Sequence, residues 1–94
     1  MSKDILIVNE KDNVATALVD LPAGKVIVLE KGGKQLKILD EIAIGHKFAL
    51  SQIDVNQNAI KYGEVIGVAN VDIKPGNHVH VHNIDSTRGR GDKN

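Results

Sequence analysis

Ninety-four residues make one domain, long enough to hide roughly 60–65% of the unfolded chain's surface in a single core. That core must be aliphatic, because Phe48 and Tyr62 are the only aromatic side chains besides histidine, and the absence of cysteine excludes disulfides and thiolate metal ligands. Twelve basic residues balance twelve acidic ones, so no net charge draws in nucleic acid or anionic lipid.

The first apolar run, residues 5–8, is too short for a secretory signal or a bilayer span, which need roughly 7–15 and roughly 20 apolar residues. The expectation is a cytoplasmic protein without membrane contact. In residues 13–21, Val14, Ala17, Leu18 and Leu21 fall at i, i+3, i+4 and i+7 behind Asp12 or Asn13, a pattern that predicts one short capped helix. Residues 25–30 are rich in Val and Ile, and residues 35–39 alternate polar and apolar. Lys31-Gly32-Gly33-Lys34 between them predicts a tight hairpin, since a Gly-Gly pair supplies positive φ angles. Residues 47–51, 59–62, 65–69 and 78–82 are further strand candidates, so the fold class expected is mainly β.

Three short units repeat. Asp20-Leu21-Pro22-Ala23-Gly24, Glu41-Ile42-Ala43-Ile44-Gly45 and Asp72-Ile73-Lys74-Pro75-Gly76 each place an acid, an aliphatic anchor, two linkers and a glycine before a strand. The carboxylate can accept backbone N–H groups ahead of it and the glycine permits a left-handed residue. The units recur after about 21 and then about 31 residues, too irregularly for a solenoid, and predict a small closed or clipped β-domain over residues 1–84. Residues 85–94 hold no apolar side chain and read as an exposed tail or the start of a linker. Its Arg88-Gly89-Arg90 and Arg90-Gly91-Asp92 runs lack the aromatics, basic surplus or export signal that would give them meaning.

The densest chemical signal is Asn77-His78-Val79-His80-Val81-His82-Asn83. On a strand, His78, His80 and His82 share one face while Val79 and Val81 point to the core. These three imidazoles are the metal candidates, and they could equally cover a polar strand face. On an extended strand the outer pair stands about 13 Å apart, so one ion would need a ligand from elsewhere, from His46, Asp54 or another chain, unless the strand bends or ends. Lys61 and Tyr62, before Gly63 at a hairpin turn, are candidates to hold a substrate carboxylate and to donate a proton. The alternative is a solvated lysine and a tyrosine at the core rim. Gly45-His46-Lys47 could form an anion pocket or simply an exposed turn.

Asp12-Asn13-Val14-Ala15, the turn at 20–24, Gly45-His46-Lys47, the run from Ile60 to Gly67, and the histidine run closed by Asn83 occur together and in order. In these motifs, over nearly its whole length, the chain resembles the N-terminal domain of the altronate and galactarate dehydratase family. The turns also resemble the SAF domain, a β-clip fold shared with the antifreeze-like domain of sialic acid synthases. In that family some members are one long chain and others, sulfolactate sulfo-lyases among them, are split into small and large subunits. The resemblance therefore implies a small subunit or N-terminal domain that helps form a site for a 2-hydroxy acid. A large catalytic partner would supply most of a hydro-lyase or sulfo-lyase reaction. It also implies a divalent metal, iron first, in the assembled enzyme. Substrate or partner contacts would come from His46, Lys61, Tyr62 and Asn83. A non-catalytic sugar-acid-binding or assembly module is the other reading, and a homo-oligomer stays open.

Overall fold

The computed structural model describes residues 4–29 and 33–85, and in it the start of the segment expected to be helical is one of the two inner strands of the main sheet. β1 (Ile5–Leu6), β2 (Val14–Ala17), β5 (Lys47–Ala49) and β8 (His78–Val79) form a four-stranded antiparallel sheet in the order β1-β2-β5-β8. β3 (Val26–Val28) and β4 (Gln35–Lys37) make the predicted hairpin, with Val26 opposite Lys37. Of its turn, residues 30–32 lie outside the described residues. β6 (Asn58–Lys61), β7 (Glu64–Ala69) and β9 (Ile84–Asp85) form a third, antiparallel sheet, and residues 86–94, which hold most of the predicted tail, lie outside the described residues. No helix among the described residues is long and apolar enough to cross a membrane.

β2 explains why the helical expectation fails. Ala15 and Ala17 point into one core with Leu21, Ile38, Ile42 and Phe48, while their neighbour Val14 points into a second with Ile53, Ile73 and Val79. β5 does the same with adjacent residues, Phe48 facing the first core and Ala49 the second. The β2–β5 pair is thus a wall between two small cores, apolar on both sides, and a strand buried on both faces shows no period-two alternation. Leu18, which completed the helical pattern, is exposed. Asp12 and Asn13 cap no helix. Asn13 Oδ1 accepts from Ile60 N–H at 2.6 Å and its amide donates to the Asn58 carbonyl at 2.9 Å, fastening the start of β2 to β6.

The repeated turns work in pairs. Leu21 bridges Ile42, and Ile53 bridges Ile73, each pair exchanging two backbone hydrogen bonds of 2.8 Å. Asp20 serves the opposite turn rather than its own, accepting from Ile44 N–H at 2.9 Å, and Asp72 accepts from Val55 N–H at the same distance. Val55 belongs to a fourth unit that the sequence concealed, Gln52-Ile53-Asp54-Val55-Asn56. Gln52 replaces the acid there, and Asn56 at φ 73° takes the left-handed position that Gly24, Gly45 and Gly76 fill at 93°, 85° and 89°. Asn tolerates that region better than most residues, which preserves the turn without its glycine.

Candidate functional site

The histidines meet because β8 is short. The strand stops at Val79 and the chain turns back at once, so the 13 Å separation of an extended strand never develops. The turn is closed by Asn83, whose Oδ1 accepts from His80 N–H at 2.9 Å and whose amide donates to the His78 carbonyl at 2.6 Å. Asn83 is buried and both ends of its side chain are used in these bonds. These bonds make Asn83 the residue that holds the turn. Val81 also departs from expectation: past the strand's end alternation no longer applies, and its side chain is 76% exposed at the tip of the turn. Asp40 fixes the other end, one carboxylate oxygen accepting from Asn77 Nδ2 at 3.1 Å and His78 N–H at 2.9 Å.

All four histidines of the chain join the cluster. The His78 ring centre lies 5.3 Å from that of His46, 5.6 Å from His80 and 5.6 Å from His82, and His46 lies 6.2 Å from His80. His46 Nδ1 and His78 Nε2 are 3.2 Å apart with ring planes within 17°, a hydrogen bond in which one ring keeps its proton and the other accepts it. Burial pushes the His78 pKa below its ordinary value, and the neighbouring His46, His82 and His80 push it the same way against the pull of Asp40. These effects favour the neutral form of the central imidazole. Among the described residues, no group of three or more His, Cys, Asp or Glu side chains is arranged to hold a metal ion. His78, His80 and His82 form an imidazole cluster with His46 and not a complete metal cage, while Asp54 stays in its own turn, bonded to Gln52 and Gln57.

Beside the cluster lies a cavity of about 470 Å³, lined among others by Thr16, Lys47, Lys61, Tyr62 and His80. Lys61 is buried, 5% exposed, and its ammonium sits 3.3 Å from the centre of the Tyr62 ring. The hydrogen bond and charge of Lys61 hold the Tyr62 phenol below its ordinary pKa. Tyr62 and Gly63 occupy the two central positions of the β6–β7 hairpin at φ 58° and 73°. Such a turn prefers Asn-Gly, and a tyrosine there is strained. Asp12 holds it, its two oxygens accepting from Gly63 N–H at 2.8 Å and Tyr62 N–H at 3.1 Å. Burial works against the Asp12 charge, but bonds from the Gly63, Asn9 and Tyr62 N–H groups outweigh it, and the carboxyl lies below the usual range. Asp12 and Asp40 thus position the site, a role their sequence neighbourhoods did not disclose because the partners lie far along the chain.

The sequence profile of the altronate/galactarate dehydratase SAF domain matches residues 3–87. The chain belongs to this family. It is 41% identical over 81 residues to the altronate dehydratase of Bacillus subtilis, covering 86% of this chain and 16% of that protein. It is 46% identical over 72 residues to the altronate dehydratase of Escherichia coli, covering 77% of this chain and 14% of that one. The SAF-domain chain thus spans about a sixth of the length of these dehydratases. It is also 33% identical over 93 residues to the (2R)-sulfolactate sulfo-lyase subunit alpha of Chromohalobacter salexigens, covering 94% of this chain and 99% of that subunit. A relative of the same size thus exists as one subunit of an enzyme.

Proposed function

We propose that this SAF-domain chain is the small part of a cytoplasmic carbon–oxygen lyase that removes water from a polyhydroxy 2-hydroxy acid, with a large partner chain supplying most of the catalytic groups. The observation that carries this reading is the convergence of His46 with His78, His80 and His82 beside the Lys61–Tyr62 cavity. In such an elimination a base takes the proton next to the carboxylate, and water leaves from the neighbouring carbon with a second proton. A neutral imidazole such as His78 suits the first task and a phenol such as Tyr62 the second. The isolated chain would not turn over substrate, because one open face cannot enclose a sugar acid or exclude water. The divalent metal implied by the family would find only a partial imidazole set here, and its remaining ligands would have to come from the partner. Copurification with a large dehydratase chain, followed by a screen of altronate and galactarate for loss of water and of (2R)-sulfolactate for loss of sulfite, tests the reading. Dehydration of a sugar acid by the pair and by neither chain alone supports it; turnover by this chain alone, loss of sulfite from sulfolactate only, or no turnover by any pair refutes it.

A further inference from the structure

The cavity walled by Lys61 and Lys47 has an electrostatic character of its own. Among the described residues, two lysines line it and no Asp or Glu does. Lys47 stands directly opposite Thr16 across the β2–β5 ladder, which brings both side chains to one patch of the sheet. Lys61 rises from the end of β6 with its stem buried, and its ammonium lies against Tyr62, 3.3 Å from the ring centre and near enough to the phenol to lower its pKa. A buried lysine normally pairs with an acid, and here no carboxylate among the described residues lies within ion-pair distance of it. The Thr16 hydroxyl below is buried. It helps hold the Tyr62 phenol below its ordinary pKa, and no partner among the described residues meets hydrogen-bond geometry with it. Unanswered positive charge in a concave site raises the local concentration of anions. His80 lines the same cavity and belongs to the imidazole cluster, so the cationic end and the histidine face are contiguous.

We infer that Lys61 and Lys47 form a receptor for the carboxylate of a hydroxy acid, with the carbon chain of that acid running past His80 toward the imidazole cluster. This rests on the proposed lyase reading for the nature of the acid, and on the cavity alone for the charge it takes. The experiment is a titration of the full chain, followed by amide chemical shifts, with gluconate as the sugar-acid probe. Glucitol serves as its uncharged counterpart and inorganic sulfate as the simple anion. Saturable shifts centred on Thr16, Lys47, Lys61 and Tyr62 are expected with gluconate in the millimolar range, and none with glucitol. Lys61→Met and Lys47→Met should each weaken gluconate about tenfold, and Lys61→Arg, which keeps the charge, should retain most of the binding. Equal shifts with glucitol, equal shifts with sulfate, or gluconate binding unchanged in both methionine variants would overturn the inference. Lys47 is only half-buried, so Lys47→Met remains decisive if Lys61→Met fails to fold. The two readings fail separately. Gluconate binding without turnover by any assembled pair would sink the lyase and leave the receptor; turnover by a pair carrying the methionine variants at the normal rate and KM would do the reverse.

Discussion

Asp12 grips Tyr62 from fifty residues away: its Oδ2 accepts the Tyr62 N–H at 3.1 Å while its Oδ1 accepts that of Gly63 at 2.8 Å. One carboxylate therefore holds the strained turn that places Tyr62 over Lys61.

Asp12→Ala should destabilise the isolated chain by about 1 kcal/mol, the usual cost of losing a carboxylate cap on backbone N–H groups. Because the folded Asp12 carboxyl titrates below its ordinary value, its contribution is complete above about pH 4 and fades as acid protonates it. Denaturant melts of wild type and Asp12→Asn should converge as pH falls through that range. Parallel curves at every pH would show that the clamp does not matter.

His78 gives a second pH signature. Its folded pKa lies below the ordinary imidazole value, so the unfolded chain takes up the proton first and stability falls as pH drops below about 6.5. His78→Asn should flatten the melting temperature between pH 7 and the mid-acid range. An equally steep loss in the variant would place the titrating group elsewhere.

Val79 and Val81 separate strand from turn. Val79 is fully buried in the second core and Val81 is 76% exposed. Val79→Ala should cost about 1–3 kcal/mol and Val81→Ala less than about 0.5 kcal/mol. Thermal melts of the two variants check this, and equal losses would contradict the turn at His80.

Strands bounded by clear turns were legible in the sequence, and the histidine run stood out as a candidate site, because glycine pairs, Asp-x-x-x-Gly units and alternating histidines are local signals. The β2 wall was not: burial on both faces and an incidental Leu18 made Val14–Ala17 look helical. The fourth turn hid behind Gln52 and Asn56, residues that do the work of acid and glycine without resembling them. The convergence of His78 with His82 was equally hidden. It depends on Asn83 closing a turn, and a His-x-His pattern alone reads as straight strand. Asp20 and Asp72 were placed in the right turns but bond to the opposite ones, a choice only tertiary pairing decides.

The proposed function has the imidazole cluster serve a lyase site and not the fold. Its most direct test is the turnover number of the assembled two-chain enzyme carrying His80→Ala, set beside the melting curve of the isolated variant. His80 is exposed, so the melt should shift by no more than about 0.5 kcal/mol. Turnover should fall at least about tenfold, some 1.4 kcal/mol of transition-state stabilisation. A variant that assembles and turns over at the wild-type rate, or one that unfolds early by itself, would contradict the account.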